Sequence, residues 1–178
     1  GTAPGALYRS DALAKVTREG RARLRELGVR RVIDLRSDLD RRLGGADRLW
    51  GVGATLVKVP MLAGAKKSEV YTLTLERMYR DLLDRHADAF GAVVREVADV
   101  SDGAVVVHCT AGKDRSGLVA ALLQLAVGVE EQVVLEDYAR TAANLEGEWA
   151  DAMLRKLRRF RVERTPQLER LLTGSPVE

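Results

Sequence analysis

The amino-acid sequence predicts an α/β fold, with a mostly parallel central sheet of four to five strands flanked by helices on both faces. Three observations carry that expectation. Short apolar runs such as Val32-Ile33 and Val105-Val106-Val107 have the length and β-branched character of strands buried on both sides. Between such runs, apolar residues recur at helical spacing, as in Leu75, Met78, Tyr79 and Leu82. The chain has 178 residues, 46% apolar and 31% charged, which suits one domain, residues 1–178, burying its own core.

Taken in order, Leu7 to Arg9 predict a first short strand. Thr17 is a suitable N-cap for a helix ending at Gly28, with Leu24 and Leu27 facing inward. Val32, Ile33 and Leu35 form a buried strand that delivers the polar cluster Arg36, Ser37, Asp38 at its C-terminal end. Gly44, Gly45, Gly51 and Gly53 mark a mobile loop before a third strand, Leu56 to Val59, closed by Pro60. From about Ser68 to Val100 the spacing predicts two helices or one broken helix. Ala104 to Val107 is the clearest strand, and Leu118 to Val127 predict a helix apolar nearly all round and therefore buried. Helical patterns follow from Glu130 to Arg140, Glu146 to Arg159 and Gln167 to Leu172.

Composition removes several classes of function. The net charge is only +3, too mild to argue for a nucleic-acid binder. One cysteine cannot form an internal disulfide, and the usual zinc spacings of Cys and His are absent; no cofactor is expected. No run approaches the roughly 18 apolar residues of a membrane span, and no secretory pattern opens the chain. The expectation is a cytoplasmic protein without stable membrane insertion, with secretion lacking a signal peptide left open. Nothing in the sequence specifies an oligomeric state.

The chemistry concentrates in VVVHCTAGKDRSG, residues 105–117. A strand ends near His108, a loop turns, and a helix begins near Ser116 with unpaired N–H groups and its positive dipole end facing the loop. Such a place binds anions. Cys109 at its mouth is favoured as the thiolate by those donors and by Arg115, and so becomes a nucleophile at neutral pH. Arg115 can offer a two-pronged fork to phosphate oxygens. Thr110, Ala111, Gly112, Lys113 and Asp114 supply the cradle between them, and Gly112 and Gly117 let the backbone turn its amides inward. Ser116 can donate its hydroxyl to the thiolate, and His108 can orient the loop through a ring hydrogen bond.

HCTAGKDRSG resembles the Cys-x5-Arg signature of the protein tyrosine phosphatase superfamily, in the version found in its bacterial tyrosine, dual-specificity and phosphoinositide branch. LYRSDAL, VIDLRS and EDYART are similar to further blocks of that branch, so the likeness covers most of the chain. The resemblance implies a phosphocysteine intermediate on Cys109, phosphate binding by Arg115, no metal, and Asp114 as general acid. It also implies a phosphorylated protein or a phosphoinositide as substrate, phosphotyrosine foremost. Ser116 stands where the branch usually has threonine, which keeps the hydroxyl. Both ends look trimmed: the branch typically adds a segment before the first strand and a helix after a Ser-Pro such as Ser175-Pro176.

Each residue has a structural alternative. Asp114 near a helix start is commonly a cap or dipole partner; Asp34, at its strand end, is the other candidate acid, or holds Arg115 or Lys113. Lys113 suits a ligand contact or a solvated surface position. Arg9 and Arg36 either buttress the loop through backbone carbonyls or serve as surface charge. The rival to an enzyme is a phosphate-recognition module, a pseudophosphatase that binds phosphorylated partners without turnover.

Overall fold

Four strands form where the apolar runs stand: β1 (Leu7–Ser10), β2 (Val29–Asp34), β3 (Thr55–Lys58) and β4 (Ala104–His108). They pair entirely in parallel, in the order β1-β4-β2-β3, so β4 lies inside the sheet between β1 and β2. The computed structural model describes residues 5–61, 73–143, 148–159 and 163–174. The chain clusters into two units, one of Gly1–Leu62 with His86–Glu130, the other of Ala63–Arg85 with Glu131–Glu178.

In the first unit, α1 (Arg18–Glu26) starts on Thr17, whose side chain accepts from the Gly20 N–H, and ends before Gly28 in the left-handed region at φ +67°. The strands then sort their side chains by the two-residue period. Ile33, Leu35, Val105 and Val107 point to one face, where Phe90 and Val93 of α4 (Ala87–Ala98) and Val119 of α5 (Asp114–Ala126) cover them. Val29, Val32, Ala104 and Val106 point to the other, against Leu13, Val16, Leu24 and Leu27. All five residues of β4 are buried. Each buried valine contributes roughly 1.5–3 kcal/mol of transfer free energy, which is why this run is central.

The second unit is helical: α3 (Leu75–Arg85), α6 (Glu131–Ala143), α7 (Glu148–Arg159) and α8 (Pro166–Thr173). Leu154 and Leu168 form its buried contact between α7 and α8, with Leu157 and Leu172 packed beside them. Thr165 caps α8 by accepting from the Leu168 N–H, and Pro166 sits at the first turn, where no N–H is missed. Among the described residues no helix is long and apolar enough to cross a membrane.

The stretch from Ser68 is two helices, one of its two expected forms, parted at His86; its start at Ser68 lies outside the described residues, as do Ser175 and Pro176. Other expectations change. An unforeseen helix, α2 (Asp38–Gly44), follows β2 because Ser37 and Asp40 form a reciprocal capping box. The glycine-containing loop after it is pinned: Arg25 donates to the Gly51 carbonyl at 3.0 Å, the Arg48 N–H donates to the Leu13 carbonyl at 3.2 Å, and Arg21 lies 4.1 Å over the Trp50 ring. Helix α5 is buried only on its sheet-facing side, at Val119 and Ala120; Leu122 and Leu125 are exposed, because an all-round apolar helix still has one face on a single sheet.

Candidate active site

At the end of β4 the chain leaves the sheet at His108 and enters α5 at Asp114, so Cys109–Lys113 forms the loop at the helix N-terminus. The first helical bond here runs from the Gly117 N–H to the Lys113 carbonyl, at 2.8 Å, so the amides before it have no partner within the helix. Two carbonyls of the loop are tethered. That of Cys109 lies 3.2 Å from His108 Nδ1, and that of Thr110 accepts from the Ala12 N–H at 3.4 Å. In a trans peptide the N–H opposes the carbonyl, so these tethers turn the Thr110 and Ala111 amides to the other side. Gly112 completes the turn at φ +71°; a Cβ there would stand 2.7 Å from the Ser10 carbonyl group, so no larger residue fits between the loop and β1.

Cys109 is 2% exposed, and its Sγ lies 3.5 Å from Ser116 Oγ. Arg115, also buried, anchors its guanidinium at several points. Nη1 donates to Asp40 Oδ2 at 2.7 Å and to the Met61 carbonyl at 3.1 Å, and Nη2 donates to Thr110 Oγ1 at 3.2 Å. The fork is thus held by its outer nitrogen. Burial disfavours the charged guanidinium, but the neighbouring Cys109 and Asp40 outweigh that and hold Arg115 protonated beyond the usual arginine range. Asp40 shows the reciprocal effect: burial raises its carboxyl, while Arg115 and the Ser37 cap bring it below the ordinary range.

Beside the loop lies a second charged assembly. Asp34 has no exposed surface and accepts from Arg36 twice through its side chain, Nε to Oδ1 at 2.9 Å and Nη2 to Oδ2 at 3.1 Å, and once from the Arg36 N–H at 2.9 Å. Burial raises the Asp34 carboxyl, but these bonds prevail and hold it below the usual range. A carboxyl held ionised in this way is a poor proton donor, which argues against Asp34 as the acid. Among the described residues its oxygens meet the guanidinium groups of Arg36 and Arg41. Arg36 in turn reaches the Gly45 carbonyl at 3.0 Å, buttressing the segment after α2 and not the loop itself.

Asp47 joins Arg36 to His108, with Oδ1 at 2.9 Å from Arg36 Nη2 and Oδ2 at 3.1 Å from His108 Nε2. Among the described residues, Asp34, Asp47 and His108 form the grouping with donor atoms close enough for a metal, within 4.8 Å of one another. The Arg36 guanidinium, 2.9 Å from both carboxylates, already supplies the positive charge such a site would need.

Of the residues expected from sequence, Cys109, Thr110, Arg115 and Ser116 are brought together, and the His108 ring lies against the Cys109 carbonyl. Ala111 and Gly112 lie in the turn. Lys113 is buried, not solvated, with Nζ 3.4 Å from Asp114 Oδ1. Asp114 opens α5, so it also stands as a dipole partner, with its side chain 20% exposed. Arg9 stands on β1 in register with Val107. Sequence reasoning missed Asp40 and Asp47. The pattern Ser37-x-x-Asp40 directly after a strand was an available sign of the first; nothing in the glycine-containing loop marked the second.

The sequence that carries this loop matches a family pattern over residues 1–174, described as the tyrosine phosphatase family. The chain belongs to that family. It is similar to a tyrosine-protein phosphatase of Nostoc commune, 33% identical over 153 residues, covering 83% of this chain and 52% of the relative. It is also similar to the triple specificity protein phosphatase PtpB of Mycobacterium tuberculosis, 32% identical over 170 residues, covering 78% of this chain and 61% of that protein. The chain thus spans between about half and three fifths of the length of these relatives. Among solved structures it is similar to P. aeruginosa TpbA, with TM-score 0.43 and 28% identity over 76% of this chain and 68% of that one.

Proposed function

We propose that this member of the tyrosine phosphatase family hydrolyses phosphate monoesters, phosphotyrosine foremost, through a phosphocysteine on Cys109. One observation carries the reading: Cys109 Sγ lies 3.5 Å from Ser116 Oγ under a helix N-terminus that Arg115 closes. In the first step Sγ attacks phosphorus as the bond to the ester oxygen breaks, and Asp114 gives that oxygen its proton. In the second, water attacks phosphorus and yields its proton to the Asp114 carboxylate; the P–S bond breaks, and Sγ leaves as a thiolate that the Ser116 hydroxyl stabilises. Arg115 and the loop amides stabilise the equatorial oxygens in both transition states.

Phosphotyrosine is favoured by relatives named tyrosine phosphatases, although the triple specificity name of one relative admits wider substrates. The test is Cys109→Ser on an aryl phosphate: turnover is expected to vanish while inorganic phosphate still binds. Undiminished turnover would remove the nucleophile, and with it the reading.

A further inference from the structure

We propose that Asp47 is a positioning residue that acts on Cys109 through His108. The inference rests on the reading of Cys109 as nucleophile. It begins from hydrogen counting. His108 Nδ1 faces the Cys109 carbonyl at 3.2 Å, and a carbonyl oxygen only accepts, so Nδ1 carries a hydrogen. Nε2 faces Asp47 Oδ2 at 3.1 Å, so a hydrogen lies between those two atoms as well. The ring and carboxyl together therefore hold both hydrogens, as imidazolium with carboxylate or as neutral ring with acid.

Arg36 decides between these. Its Nη2 forms an ion pair with Asp47 Oδ1 at 2.9 Å, and this favours the ionised carboxylate. The charged groups facing this pair are Arg36, Asp34, whose Oδ1 lies 3.9 Å from His108 Nε2, and Asp11 near the His108 ring. Arg41 touches the same assembly at 3.5 Å from Asp34 Oδ2, but it also pairs with exposed Asp38. Without the Asp47 carboxylate, the hydrogen on His108 Nε2 loses its acceptor, since Asp34 Oδ1 stands 3.9 Å away, and the ring can drop it or turn.

The consequence falls on the loop. The hydrogen bond from His108 sets the plane of the Cys109–Thr110 peptide, and that plane aims the Thr110 amide away from the tether. A cationic ring within one residue of the nucleophile also favours its thiolate. Asp47 thus tunes the sulfur from a distance, touching neither it nor the substrate.

Because Cys109 is the sole cysteine, its titration can be followed in the intact chain without interference. The experiment measures iodoacetamide alkylation against pH in the parent, Asp47→Asn, His108→Gln and the double variant, alongside aryl phosphate kinetics. Asp47→Asn is expected to move the alkylation midpoint upward and to lower kcat/KM roughly ten- to hundredfold, as removal of a carboxylate behind a functional histidine does. The double variant is expected to lose no more than His108→Gln alone. An unmoved midpoint in folded Asp47→Asn, or losses that multiply in the double variant, would overturn the proposal. If Asp47→Asn does not fold, Asp47→Glu, which keeps the charge, is read by the same titration; a parent-like rate with a displaced midpoint, or the converse, would equally overturn it. Alkylation requires no phosphatase activity, so failure here is separable from failure of Cys109→Ser.

Discussion

Two arginines close the site end of the sheet, and their surroundings differ. Arg36, after β2, is enclosed: its guanidinium is matched by Asp34 on two nitrogens, by the Gly45 carbonyl and by Asp47. Arg115, at the start of α5, is held mainly through Nη1, by Asp40 and by the Leu35 and Met61 carbonyls, while Nη2 donates to the Thr110 hydroxyl. Buried arginines of one chain thus divide between a closed charge assembly, which sets backbone positions, and a fork gripped mostly on one side, which suits an incoming anion. The spread of acceptors over the guanidinium nitrogens separates the two; neither their number nor burial does.

The comparison is broken most severely by Arg36→Met. Removing one member of a buried, paired assembly leaves Asp34 and Asp47 uncompensated, and the expected loss is about 3–5 kcal/mol of unfolding free energy, read by urea denaturation. The acid limb should move with it. Asp34 in the parent has a depressed native carboxyl, so its contribution is fully present above the unfolded aspartate range and is lost as pH falls through the native value. In Arg36→Met that loss should begin at higher pH. An unchanged acid limb would mean that Asp34 draws nothing from Arg36.

Arg115→Lys sharpens the contrast from the other side. Lysine keeps the charge but loses the planar fork, so kcat/KM for an aryl phosphate should fall about 100- to 1000-fold, with much less change in stability than Arg36→Met. Equal losses of stability in the two variants would erase the distinction. Asp40→Asn is the mildest test. It removes the anion at 2.7 Å from Nη1 but leaves the remaining anchors, so kcat should drop about tenfold while inhibition by inorganic phosphate holds or tightens. A raised KM with unchanged kcat would show that Asp40 contributes to binding and not to orientation.

Much of this was legible along the chain. The strands at Val32 and Val105, the Thr17 cap, and a helical stretch in two pieces before β4 follow from local pattern and are found; the break at His86 was not marked. Helix α2 was missed because its first turn reads as a polar cluster, although the capping box was written in Ser37 and Asp40. Reading α5 as buried all round failed because composition reports how apolar a helix is, not how many neighbours it meets.

By itself the sequence determined that Cys109, Thr110, Ser116 and Arg115 meet, because they are neighbours whose meeting needs only a strand, a turn and a helix N-terminus. What surrounds that loop was decided by tertiary structure. Asp40 reaches Arg115 across 75 residues and Asp47 reaches His108 across 61, and both meetings depend on β4 inserting between β1 and β2 so that the end of β2 stands beside the loop. A charged residue in a polar segment carries no local mark of its partner; the partner follows from strand order, which long-range burial selects.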